Sequence, residues 1–115
     1  MLTVELLRAY GANVDDALER CMNNEAFYLR LVGKAINDPD FENLREAVER
    51  KDLERGFDIA HKLTGTTQTL SLTPLSVPVA EITELLRSRA EADYAPYLAE
   101  IASQRDRLLG LIQDP

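Results

Sequence analysis

The sequence predicts an all-α protein, an antiparallel up-and-down four-helix bundle with one or two short N-terminal helices. Three observations carry that expectation. Apolar residues recur at helical spacing in several stretches, and no stretch makes a convincing strand. A Ser, Thr, Asn or Asp able to cap a helix stands before most of those stretches. The connections between the longer stretches are short, as antiparallel neighbours require. At 115 residues the chain is one domain, 1–115, with its bundle over about 24–113 and the short helices in 1–23.

Thr3 caps a short first helix that ends at Gly11, and Asn13 caps a second, Val14 to Met22, with Asp15 and Asp16 favourably placed in its first turn. Asn24 caps a third helix to about Asn37, whose apolar face is Phe27, Leu31, Val32, Ala35 and Ile36. Asp38-Pro39 ends it and opens the fourth, with Asp38 as cap and Pro39 in the first helical position. Phe41, Leu44, Ala47 and Val48 line one side of that fourth helix. Asp52 caps a long fifth helix, to Leu72. After a turn around Ser71 to Pro74, the sixth helix carries Leu75, Val79, Ile82 and Leu86. Two prolines complicate its start. If Thr73 caps the helix, Pro78 lies too deep and loses a hydrogen bond. A Ser76 cap accommodates Pro78, so a late start or a kink is expected. Asp93 caps the last helix, with Pro96 in its first turn and Leu98, Ile101, Leu108 and Ile112 as its stripe.

The composition is 45% apolar and 29% charged, as in a globular chain. A net charge of −7 repels phosphate backbones and argues against a nucleic-acid partner. No apolar run approaches the ~20 residues of a membrane span, and no signal-peptide pattern opens the chain. Cys21 is the single cysteine. It cannot form an internal disulfide and reads as a packing residue, so a reducing cytoplasm is the expected compartment.

His61, the one histidine, lies inside Ala60-His61-Lys62-Leu63-Thr64-Gly65. A helix turns about 100° per residue. Leu63, Leu70, Ile59, Gly56 and Thr67 then fall opposite His61, while Thr64, Gly65 and Gln68 fall on its own side. The imidazole therefore faces solvent. Gly65 costs roughly 1 kcal/mol relative to alanine within a helix. On the histidine face it suits a partner that must come close. The plain alternative is an ordinary surface histidine beside an ordinary packing glycine.

The segment from Ala60 to Leu72 resembles the signature of histidine-containing phosphotransfer (HPt) domains: Ala-His-x-Leu-Lys-Gly, then small residues and a Leu-Gly-like turn. Ala60, His61, Leu63 and Gly65 match in register. The stretches Phe41 to Asp52 and Thr73 to Arg87 resemble the family's flanking helices, and the likeness covers most of residues 25–110. The resemblance implies a four-helix bundle with His61 as phosphoryl acceptor. It implies receiver domains of response regulators or hybrid histidine kinases as partners, a monomeric phosphocarrier without catalysis of its own, and no cofactor in this chain. Magnesium would sit on the receiver. The chemistry suits the residue, since neutral imidazole is a nitrogen nucleophile near neutral pH.

Two positions depart from the pattern. Thr64 stands where the family has lysine, and Gln68 where it has a small residue. Gln68 would obstruct a receiver or donate a hydrogen bond to the phosphoryl group. Lys62 points about 100° away and is spaced to pair with Asp58. Arg87, on the next helix, is the candidate for the missing charge. The runner-up function is therefore an HPt-like binding module that docks on receivers with weak or no transfer. A metal enzyme is the third reading, from Glu54, Asp58 and His61 on one face. It fails because such sites repeat their ligands on facing helices, so no metal site is expected.

Overall fold

The computed structural model describes residues 1–89 and 91–113, with side chains through residue 112. Seven helices run through them: α1 (Val4–Tyr10), α2 (Val14–Arg20), α3 (Glu25–Ile36), α4 (Asp40–Glu49), α5 (Leu53–Thr69), α6 (Thr73–Arg87) and α7 (Ala95–Gln113). There is no strand among the described residues. The architecture is the expected helical bundle with two short helices in front, followed by five helices, α3 to α7.

Capping sets most of the boundaries. The side chains of Thr3, Asn13, Asn24 and Asp52 each accept a hydrogen bond from the amide three residues on, at 3.1, 3.3, 3.0 and 3.2 Å. Asp38 and Asp93 accept instead from the amides two residues on, Asp40 and Ala95, at 2.9 and 3.0 Å, and Pro39 rather than Asp38 takes the N-cap place of α4. Gly11 ends α1 at φ 115°, a left-handed conformation that suits glycine.

Three local expectations need correction. Helix α2 stops at Arg20 rather than Met22, because Met22 and Asn23 take left-handed backbone angles of 55° and 57°. The inner face of α3 is Tyr28, Val32 and Ile36, while Phe27 is exposed and Leu31 and Ala35 are only half-buried. That rotation lets the Tyr28 hydroxyl reach inward and donate to the Leu70 carbonyl at 2.9 Å. Helix α6 starts early, at Thr73, with Pro74 in its first turn and Pro78 inside the helix. Ser76 does not cap it; its hydroxyl is buried and donates to the Thr73 carbonyl at 3.3 Å. The early start forgoes one hydrogen bond at Pro78. It is offset by full burial of Leu75 beside Leu72, Val79, Ile82 and Leu86.

Helix α5 packs on α4 and α6, and α6 packs on α7. Turns of a few residues join α4 to α5 and α5 to α6, so consecutive packed helices run antiparallel. Arg105 ties α7 back across the bundle. Its guanidinium lies 5.0 Å from the Phe41 ring centre and donates to the Ile36 carbonyl at 2.8 Å.

The N-terminal helices hold the far end of α5. Arg20 donates to the Thr69 carbonyl at 2.8 Å, to the Gln68 carbonyl at 3.3 Å and to the Ser71 hydroxyl at 2.7 Å. Thr69 lies in the last turn of α5, where a helix leaves carbonyls without intrahelical partners. Ser71, at φ 54°, in turn donates to Asp16 at 3.0 Å, and its carbonyl accepts from the Asn13 amide at 3.0 Å. The helix that carries His61 is therefore capped at its start by Asp52 and at its end by α2.

Candidate functional site

Helix α5 buries Gly56, Ile59, Ala60, Leu63 and Thr67. That stripe fixes its rotation and turns His61 outward, where the side chain is exposed. Gly56 faces inward beside Leu86 and Val48, where a Cβ would make an ordinary contact at 3.5 Å from Leu86. The stripe and the exposure are those expected from helical periodicity.

The imidazole is not isolated on that surface. Phe57, one turn earlier, stacks on it with ring centres 5.6 Å apart and planes 24° apart. Two guanidinium groups from the end of α6 lie over the same phenyl ring, Arg87 at 5.0 Å and Arg89 at 5.4 Å from its centre. Arg87 also pairs with Glu84 at 3.2 Å. Phe57 is not among the residues the sequence singles out, although its i−4 spacing from His61 was readable there. Arg89 was not, because it lies past the end of α6 and reaches Phe57 only through the α5–α6 packing.

The other candidate residues fall in different places. Gly65 is exposed, and a Cβ there would meet nothing within 4 Å. It lies with Leu31, Ala35, Thr66 and Leu70 along an open groove between α3 and α5. Gln68 is exposed two turns from His61. Thr64 is half-buried and faces α6. Its hydroxyl lies 2.9 Å from the Ala60 carbonyl and 2.9 Å from the Thr83 hydroxyl, which is itself 2.7 Å from the Val79 carbonyl. The two hydroxyls can share their protons in either direction along that chain.

Lys62 corrects the expectation from spacing. It pairs not with Asp58 but with Asp40 at the start of α4, at 3.0 Å. Asp40 is the better partner because it is largely shielded from solvent and sits in the first turn of its helix. The hydrogen bond from Lys62 holds the Asp40 carboxyl below its ordinary range, and the same bond raises the Lys62 ammonium. Lys62 thus belongs to the α4–α5 contact. Among the described residues no group of three His, Cys, Asp or Glu side chains is placed to hold a metal ion. No described helix is long and apolar enough to cross a membrane.

A family model, the Hpt domain, matches residues 37–112, which run from the end of α3 through α7 and include His61. The chain belongs to the Hpt domain family. HPt domains are in general phosphocarriers that move phosphoryl groups on histidine in phosphorelays, rather than catalysts. Helices α1, α2 and α3 precede the matched segment. No curated protein and no solved structure matches the chain.

Proposed function

We propose that this HPt domain is a phosphorelay carrier that accepts a phosphoryl group on His61 from a receiver-domain aspartate and passes it to another receiver. The observation that carries the reading is His61 itself: an exposed imidazole at mid-helix, in register with the family hexapeptide, beside the open surface at Gly65. In the transfer step an imidazole nitrogen uses its lone pair to form the N–P bond. The O–P bond of the receiver's aspartyl phosphate breaks, and the carboxylate leaves with the bonding pair. The proton on the other ring nitrogen passes to solvent or stays as charge on the ring. Onward transfer is the reverse step with a second carboxylate as nucleophile. This chain supplies a positioned nucleophile and a docking face over Gly65 and Gln68. The receiver supplies magnesium and charge stabilisation. No cofactor is needed in this chain, which acts as a monomer in the cytoplasm.

A second reading rests on Thr64. With its hydroxyl turned to α6 and Lys62 held by Asp40, neither side chain offers a free cation beside His61. In that case the domain docks on receivers with weak or no transfer. One experiment separates the two. Phosphorylated receiver domains are mixed with wild type and with His61→Gln. Acid-labile, base-stable label on wild type alone supports the carrier. Binding without label supports the docking module, and equal label on both proteins overturns His61 as acceptor.

A further inference from the structure

The charge balance around His61 poses a specific problem. Glu54 and Asp58 stand exposed on its side of α5, and the chain as a whole is acidic, with net charge −7. A phosphoryl group on His61 adds further negative charge there. Lys62 is held by Asp40 on the α4 side. The cations that meet Phe57, the ring stacked on His61, come from the end of α6 instead.

Arg89 occupies a position that favours glycine. It follows the end of α6 at φ 54°, in the left-handed region that L side chains rarely adopt. Its guanidinium folds back onto the helix end, donating to the Leu86 carbonyl at 2.7 Å and the Arg87 carbonyl at 3.3 Å. It still lies 5.4 Å from the centre of the Phe57 ring. Among the described residues no carboxylate pairs with it, whereas Arg87 is shared with Glu84. Phe57 touches both sides of the arrangement, His61 in a stack and the two guanidinium groups over its ring.

We propose that Phe57 is a positioning residue that gathers Arg87 and Arg89 next to His61 as a cationic shelf for the phosphoryl group. Arg89, which no described carboxylate holds, turns to that group from the Leu86 and Arg87 carbonyls, and Arg87 joins it by exchanging Glu84 for phosphoryl oxygen. The inference rests on His61 being the phosphoryl acceptor. It assigns to the end of α6 the charge that the family places at the position of Thr64.

The test loads the full chain with phosphoramidate, a small anionic donor that needs no receiver, and follows phosphohistidine at several salt concentrations. The proteins are wild type, Arg89→Ala, the double variant Arg87→Ala/Arg89→Ala, Phe57→Leu and Phe57→Tyr, each checked for helicity and melting. Loading of the double variant should fall at least about fivefold at low salt, and its salt dependence should flatten, since nearby cations attract an anionic donor and added salt screens them. Arg89→Ala and Phe57→Leu should fall between, and Phe57→Tyr should load like wild type because its ring can still carry the guanidinium groups. A merely structural role would alter melting and leave the salt dependence unchanged. Equal loading and equal salt dependence in wild type and the double variant would overturn the shelf while leaving His61 as acceptor. If phosphorylated receivers and phosphoramidate both fail to label wild-type His61, the carrier reading falls and the shelf with it. Should Phe57→Leu fail to fold, the double arginine variant still decides.

Discussion

Lys62 reaches across to Asp40, 3.0 Å away, and ties α5 to α4. Lys62 directly follows His61 in the sequence, yet its helical direction takes it to α4. Lys62→Ala should therefore leave transfer to His61 close to wild type, measured as single-turnover transfer from one phosphorylated receiver. Its effect should be on stability and should depend on pH. The Asp40 carboxyl is held below its usual range, so that contribution is present at neutral pH and is lost as the pH falls below about 4. Lys62 is raised, so its contribution is present at neutral pH and is lost as the pH rises through its folded-state value, above about 10. The melting difference between wild type and Lys62→Ala should be largest in the neutral range and shrink at both extremes. A large loss of transfer in this variant would make Lys62 the working cation.

Gly65 allows a separation of stability from docking. With nothing within 4 Å of a Cβ there, Gly65→Ala should raise stability by about 0.5–1 kcal/mol, the difference in helix propensity. Gly65→Trp should fold equally well, since the site is open, and should weaken receiver binding. Denaturant melts and a binding titration against one cognate receiver check both. A tryptophan variant that binds with unchanged affinity would move the docking face away from the α3–α5 groove.

Two buried tyrosines should respond in opposite ways to losing their hydroxyls. Tyr28 donates to the Leu70 carbonyl at 2.9 Å, whereas the buried Tyr10 hydroxyl has no hydrogen-bond partner among the described residues. Tyr28→Phe should cost about 1–2 kcal/mol, because it strips a partner from a buried carbonyl. Tyr10→Phe should be neutral or stabilising, because it removes an unsatisfied polar atom. Burial raises both phenols, Tyr28 to about 12 and Tyr10 further. A raised folded-state pKa gives stability that is complete below about 10 and is lost as the pH climbs through the folded-state value. Alkaline destabilisation should thus begin near pH 10 and be reduced in either Phe variant.

Much of the bundle was legible because its signals are local. The side chains of Thr3, Asn13, Asn24 and Asp52 cap as expected, and the buried stripe of α5 follows directly from its period. His61 emerged for the same reason: once Leu63 and Thr67 face inward, the imidazole faces out. What was not legible depends on contacts between helices. Asp40 outcompetes Asp58 for Lys62 only once α4 lies beside α5. Arg89 meets Phe57 only when α6 packs against α5. Thr64 falls on the His61 side of a helical wheel, but α6 is close enough to take its hydroxyl through Thr83. The start of α6 went the other way, since the local cost of Pro78 was outweighed by burial of Leu75 and its neighbours.

Thr64 gives the sharpest test of whether this chain's departure from the family pattern limits it. Replacing it with lysine removes the contact with Thr83 at 2.9 Å, while Thr83 keeps its own bond to the Val79 carbonyl at 2.7 Å. No buried hydroxyl is left unsatisfied, so the loss of stability should be about 1 kcal/mol, one ordinary hydrogen bond. The lysine stem can lie along the α5–α6 seam and carry its ammonium out to solvent, one turn from His61. There it would neutralise part of the phosphoryl charge at a partly desolvated interface, an effect of order 1 kcal/mol or more. Thr64→Lys should therefore melt slightly earlier and yet take up phosphate faster or hold it longer. Thr64→Val should show the same loss of stability without the gain, since it removes the hydroxyl and adds no charge. The measurement is single-turnover transfer and phosphohistidine lifetime in wild type and both variants. If Thr64→Lys and Thr64→Val transfer alike, charge at this position carries no function, and the arginines on Phe57 or the receiver must supply it.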